Sequence, residues 1–153
     1  MPSPQQQKYV WQYFMDDEGH FWHEGVEMDD PGTLRSFMST MELLPNGRFK
    51  VLCQGEECHV VVQDVPYVVK GVHFFADHIE LLFPGGYKEA LNPSTLFVGP
   101  LNVLYCKIRD GEFTARFNRS TYLEIAKKIQ FDPREKSFYL RINNQDYTIV
   151  GTG

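Results

Sequence analysis

The residues most like metal ligands are His20 and His23, three apart, with Cys53, Cys58 and His59 further on. A structural zinc ion takes four nitrogen or sulfur ligands at the corners of a tetrahedron, so its ligands must converge. A strand sends residues three apart to opposite faces, which separates the two histidines. Cys53 and Cys58 also align with Ile142 and Tyr147 of a related stretch, where the residues suit ordinary sheet packing. A small buried thiol needs no further cause there. We expect no metal and no cofactor.

A nucleophilic cysteine needs a base and an electropositive setting. Cys106 lies between Tyr105 and Lys107 on an apolar run, and nothing local assigns His73 or His78 as its base. There is no G-x-S-x-G elbow, P-loop, dinucleotide fingerprint or H-E-x-x-H. An enzyme would have to be assembled from scattered residues such as His23, Asp64 and Cys106. We expect no catalytic residue.

Binding chemistry is better represented. Phe113, Ala115 and Phe117 alternate with Glu112, Thr114 and Arg116, as on a half-buried strand. The same register carried to the earlier stretch turns Phe21, His23 and Gly25 inward and His20, Trp22 and Glu24 outward. An outward tryptophan either anchors a partner or packs against the other half of its own chain. Arg109, Arg116 and Arg119, with Lys107 nearby, form a basic cluster, and Arg119 precedes a helix start where backbone N–H groups favour anions. Internal pairing with Asp110, Glu112 or Glu124 is the alternative use of those charges.

The chain as a whole restricts what such a site binds. It has 153 residues, with fifteen Lys and Arg against twenty Asp and Glu, a formal charge of −5. That counts against non-specific duplex binding, which calls for a basic surface. Aromatic residues at 14% exclude disorder, and three cysteines are too few for a disulfide scaffold, which points to a reducing, cytoplasmic setting. The Pro- and Gln-rich start is not a signal peptide, and no apolar run approaches the roughly 20 residues of a membrane helix. We expect a flexible tail over residues 1–12.

The elements that position these residues come in two copies. Glu18-Gly19-His20-Phe21 resembles Asp110-Gly111-Glu112-Phe113, 92 residues on. Phe49–Cys53 and Glu57–Val61 parallel Phe138–Ile142 and Asp146–Val150 at a constant offset of 89. Each copy has one short helix. Asp29 or Asp30 caps the first, with Leu34, Phe37, Met38 and Met41 on its apolar face; Asn118 or Ser120 caps the second, with Tyr122, Ile125, Ala126 and Ile129. Turns at Pro45-Asn46-Gly47 and Asp132-Pro133-Arg134 follow, then hairpins through Gln54-Gly55-Glu56 and Asn143-Asn144-Gln145. The intervening 65–108 reads as short strands. The expected fold is therefore α+β. Two repeated units of antiparallel hairpins, each with one helix, occupy 13–64 and 65–153, the second more strand-rich.

The sequence also resembles the bacterial family known as domain of unknown function 1285, from about Tyr13 to Val150. The resemblance rests on Asp17-Glu18-Gly19, then Trp22 and Gly25 with His23 between them, and on Leu34 and Phe37. It continues through Asp64-x-Pro66-Tyr67 to Tyr105, Arg109, Gly111, Glu112, Ala115-Arg116, Arg119 and Tyr122. The chain departs from the family at Glu56-Glu57, where a Glu-Lys pair is usual. The resemblance implies duplicated α+β units, a C-terminal part similar to pleckstrin-homology domains, and a ligand site at the seam between units, with signalling as the role.

Together these observations predict a non-enzymatic binding or adaptor protein. Its seam site would draw on Trp22, His23, Asp64, Tyr67, Arg109, Arg116 and Arg119, the aromatics for anchoring and the arginines for anions. A protein or peptide is the expected partner, and single-stranded nucleic acid stacked on the aromatics is the alternative. A sheet edge left open by one copy also allows a homodimer.

Overall fold

Turn chemistry sets the first layer of the architecture. In the computed structural model, which describes residues 10–151, Glu24–Gly25, Gln54–Gly55 and Asn143–Asn144 are left-handed at both residues. A two-residue hairpin needs that conformation to match the twist of its strands. The first unit runs β1 (Trp11–Met15), β2 (Phe21–His23), β3 (Val26–Met28), α1 (Pro31–Thr40), β4 (Glu42–Leu43), β5 (Phe49–Cys53) and β6 (Glu56–Val62). Its six strands form one sheet in the order β3-β2-β1-β6-β5-β4.

The chain then adds β7 (Tyr67–Val69) and a separate three-stranded sheet of β8 (Gly71–Phe74), β9 (Ile79–Leu82) and β10 (Lys88–Ala90). The last stretch runs β11 (Phe97–Val98), β12 (Leu104–Ile108), β13 (Phe113–Phe117), α2 (Arg119–Ala126), β14 (Ile129–Asp132), β15 (Ser137–Ile142) and β16 (Gln145–Gly151). Read from β13, its order is β13-β12-β11-β16-β15-β14, with β7 added outside β13. Strand for strand, this is the connectivity of the first unit. The fold is α+β.

Four sequence expectations need correction. The two larger sheets are mixed rather than antiparallel throughout, because their antiparallel hairpins are joined by parallel pairs, β1–β6, β11–β16 and β13–β7. In each unit the first and last strands run the same way and meet at the centre. The repeat is also displaced by one hairpin at its start. The turn matching Asp110–Gly111, between β12 and β13, is Glu24–Gly25 between β2 and β3, not Glu18–Gly19 between β1 and β2. Residues 1–9 of the expected tail lie outside those described, but Trp11 and Gln12 open β1, held by pairing with Cys58 and His59 and by the buried Tyr13 and Met15 that follow. Finally, the spacing that gave α2 an apolar Ile129 spans an element boundary. Ile129 belongs to β14 and pairs with Leu140.

Both helices start where the caps predict. Asp30 Oδ2 accepts from the Thr33 N–H at 2.9 Å, and Asn118 Oδ1 from the Thr121 N–H at 2.9 Å. The apolar face of α1 is complete: Phe37, Met38 and the capping Met41 have no exposed surface. They join Phe21, Val60, Tyr67, Leu81 and Phe113 in one core shared by both units. Among the described residues no helix is long and apolar enough to cross a membrane.

Candidate functional site

A helix ends with carbonyls that lack intrahelical partners, and α1 ends against the second unit. Two side chains from that unit satisfy it. The Tyr67 hydroxyl donates to the Met38 carbonyl, and Arg109 Nη1 donates to the Met41 carbonyl at 2.6 Å and to the Tyr67 hydroxyl at 3.1 Å. The positive guanidinium also suits the negative end of the helix dipole. Its carbon lies 4.7 Å from the centre of the Phe113 ring, within cation–π range. The backbone supports this placement through three successive left-handed residues, Arg109, Asp110 and Gly111. The Arg109 N–H donates to Glu89 Oε1 at 2.6 Å, and Glu89 Oε2 accepts from the Tyr87 hydroxyl at 3.0 Å. Burial pushes the Tyr67 hydroxyl above its usual range and, with Glu89 adjacent, takes Tyr87 to about 12.

A second polar cluster closes the other side of the seam. Asp64 Oδ2 accepts from the Tyr105 hydroxyl at 2.8 Å and from Arg116 Nη1 at 2.9 Å, while Arg116 Nη2 lies 3.6 Å from Asp17 Oδ2. The Tyr105 ring stacks on Phe97 with centroids 5.2 Å apart. Gly19 sits so close to Val68 that a Cβ there would come within 3.0 Å of the valine Cβ. The turn carrying Asp17 therefore lies directly on β7, and Arg116 ties the units together at that point.

Trp22 and His23 lie apart from both clusters. Trp22 is on the outward face of the first sheet, opposite Phe14, and its Nε1 donates to Asp16 Oδ2 at 3.0 Å. His23 points inward, hydrogen-bonds the Gln12 carbonyl at 2.9 Å and packs 3.8 Å from Trp11 between ring centroids. Arg119 is exposed at the first position of α2. Of the seven sequence-predicted residues, four thus fall in two seam clusters, and Trp22, His23 and Arg119 lie outside them at three separate positions. His20 pairs with Glu27 instead of converging with His23, and among the described residues no three His, Cys, Asp or Glu side chains group as metal ligands. Burial raises Cys58 to about 11 and Cys106 to about 12, which keeps both as neutral thiols near pH 7.

The Trp22 contact has a pH signature. Burial alone would raise the Asp16 carboxyl, but the Trp22 Nε1–H and the His20 and Glu18 N–H groups outweigh it and hold the pKa below the ordinary range. A depressed folded-state pKa stabilises above the unfolded value, about 3.9. That contribution is lost as pH falls through the lower, folded value. Tryptophan fluorescence followed on acidification should change within that acid window, and Asp16→Asn should remove this component.

Where the seam opens to solvent it forms a cleft. One lobe of about 390 Å³ is lined by Tyr87, Glu89, Arg109, Asp110 and Glu112. It adjoins a lobe of about 470 Å³ lined by Met41, Glu42, Leu43, Arg109, Glu112 and Phe113. Both volumes fall in the range occupied by ligand sites. The walls come from both units and carry four carboxylates against one arginine, whose Nη1 is already turned inward to the α1 carbonyl. Leu43, 62% exposed, supplies an apolar rim.

No protein-family model and no curated protein matches the sequence. Solved structures do match the architecture. The chain superposes on the crystal structure of a DUF1285 family protein from Silicibacter pomeroyi DSS-3 with a TM-score of 0.68, covering 91% of this chain and 79% of that one at 15% identity. A DUF1285 family protein from Shewanella baltica OS155 gives 0.61, with 77% and 92% covered at 12% identity. The fold is that of DUF1285 proteins. Within this DUF1285 fold, Asp64, Tyr67, Tyr105, Arg109 and Arg116 form the two clusters that join the units. Sequence reasoning missed the cleft residues Glu42, Leu43 and Glu89. They are ordinary strand residues, and only the return of β10 and β4 towards the Arg109 turn makes them neighbours.

Proposed function

We propose that the protein is a non-enzymatic, cytoplasmic adaptor in signal transduction that takes a basic peptide segment in the seam cleft. The observation that carries this reading is the lining: four carboxylates, an inward-turned arginine and an exposed leucine between the two units. Lys or Arg side chains of a peptide meet Asp110 and Glu112, while an apolar side chain lies against Leu43 and Phe113. The arginines that the sequence suggested for anions have internal roles at Arg109 and Arg116. The same carboxylates weigh against single-stranded nucleic acid, whose phosphates they repel.

Fluorescence anisotropy with a labelled Lys/Leu peptide, its Glu/Leu counterpart and an oligothymidine strand tests the proposal. The basic peptide should bind most tightly and lose affinity with added salt. Glu112→Lys should weaken it about tenfold, roughly 1.4 kcal/mol. Tighter binding of the acidic peptide or the oligonucleotide, or no effect of Glu112→Lys, overturns it.

A further inference from the structure

Because the two units share one connectivity, β4 and β14 are equivalent edge strands. They are finished differently. β4 has two residues, and α1 closes the exposed remainder of β5. The Ser36 hydroxyl donates to the Leu52 carbonyl at 2.7 Å, and Thr40 Oγ1 accepts from the Leu52 N–H at 2.9 Å. β14 has four residues, all paired to β15, and contains no proline or glycine. Among the described residues its outer side has no neighbouring strand. An edge of this kind is a template for another strand unless something blunts it.

The side chains add a second observation. Ile129 and Phe131 share the core face of the sheet with their partners Leu140 and Phe138. Ile129 is half-buried and Leu140 fully buried, but the core face continues past them into solvent, leaving Phe131 52% and Phe138 55% exposed. Their rings are 5.0 Å apart, an aromatic pair with one side open.

We propose that β14 is a dimerisation edge along which a second copy of this chain adds antiparallel, making one sheet continuous across a two-fold axis at Gln130. The sequence Lys128-Ile129-Gln130-Phe131-Asp132 is self-complementary about that axis. Ile129 faces Phe131 of the second copy, Lys128 faces its Asp132, and Gln130 faces its equivalent. Each pairing except the central one occurs twice, as an isologous interface requires. Cross-strand pairs of opposite charge and of apolar residues both stabilise. The neighbouring registers lose this match. A one-residue slip sets the apolar face of one copy against the polar face of the other. A two-residue slip places Pro133 opposite Ile129, or Lys127 opposite Phe131.

The charged pair remains available. Asp132 Oδ1 accepts the Arg134 and Glu135 N–H groups of the following turn, which leaves Oδ2 for the lysine. Lys128 lies in the turn just before β14, its N–H donating to the Ile125 carbonyl at 2.9 Å. Its side chain is exposed, with the ammonium 5.4 Å from the Phe74 ring centre, and leaves that ring to reach the second copy. The Gln130 Oε1 accepts from Tyr139, and its amide N–H groups remain to bridge the axis.

Sedimentation of the full chain from low to high micromolar concentration, with two variants at the exposed Gln130, tests the interface. The wild type should shift from monomer to dimer with concentration. Gln130→Lys sets two ammonium groups face to face and should weaken the dimer at least about tenfold. Gln130→Cys places two thiols directly opposite, about 4.5–5.5 Å apart at Cβ. With oxidised glutathione they should form an intermolecular disulfide: one S–S bond forms between the two chains and the S–S bond of one oxidised glutathione breaks. That glutathione takes up the two electrons and two protons to leave as two molecules of reduced glutathione. Glu135→Cys, off the axis, should not cross-link. Circular dichroism establishes that each variant is folded. A wild type that stays monomeric, a Gln130→Lys variant that dimerises as well as the wild type, or equal cross-linking at 130 and 135 overturns the proposal.

Discussion

Gly85→Ala should cost about 2–4 kcal/mol of folding stability, a large share of the 5–15 kcal/mol typical of a domain. Gly85 lies in the short turn after β9, with φ +74°. A Cβ built there comes 2.2 Å from the Arg35 nitrogen, 2.7 Å from the Pro31 carbonyl oxygen and 2.8 Å from the Arg35 Cα. All three are backbone atoms of α1, so no side chain can rotate away. Two penalties combine: the left-handed conformation costs a non-glycine residue about 1 kcal/mol, and overpacking adds about 1–3 kcal/mol. Gly86 separates them, because its φ is +80° but nothing lies within 4 Å of its Cβ position. In urea denaturation Gly86→Ala should show only the smaller, conformational loss. Equal losses at the two positions would show that close approach to α1 is not what requires glycine.

The next largest effect is expected at Arg109. Arg109→Met retains a stem over Phe113 but removes the donor that satisfies Met41 and contacts Tyr67. Tyr67 has no exposed surface, and an unsatisfied buried polar group costs about 1–3 kcal/mol. We expect a loss of about 2–3 kcal/mol. Arg109→Lys should recover part of it, since an ammonium cannot reproduce the arrangement of guanidinium donors. Tyr67→Phe in a double-mutant cycle should show coupling of at least about 0.5 kcal/mol. Strict additivity would mean that the two side chains act on α1 independently.

Much of this architecture is written in local chemistry. Asp30 and Asn118 announce the helix starts, Gln54–Gly55 and Asn143–Asn144 mark hairpins, and Phe113, Ala115 and Phe117 alternate into the core as their spacing requires. The error in the repeat has a physical origin. Glu18-Gly19 and Glu24-Gly25 are both acidic-glycine turns with left-handed glycine, one hairpin apart, so composition cannot decide which matches Asp110-Gly111. The seam was legible only in part. Aspartate, arginine and tyrosine advertise their chemistry, and at the seam Asp64 does meet Arg116 and Tyr67 does meet Arg109. Their other partners include the Met38 and Met41 carbonyls, which every residue possesses and no sequence distinguishes. Nor does a sequence show that β10 brings Glu89 to the Arg109 backbone.

The parallel pairing at the centre of each sheet bears on the order in which the molecule assembles. On either side of that centre, strands are joined by hairpins whose partners lie close in the chain: Phe14 and Trp22 are 8 residues apart, and Val51 and Cys58 are 7. The central contact reaches much further, 47 residues from Tyr13 to Val60 and 53 from Phe97 to Val150. Long-range closure carries a greater entropic cost and slows folding. Each unit is therefore two quickly formed ribbons that wait to be clasped. As the chain leaves the ribosome, the first clasp can close once Val62 has emerged. The second waits for Val150, with β11 held by only two residues when it arrives. During synthesis, the N-terminal unit is ready to serve as the surface on which the C-terminal one is completed.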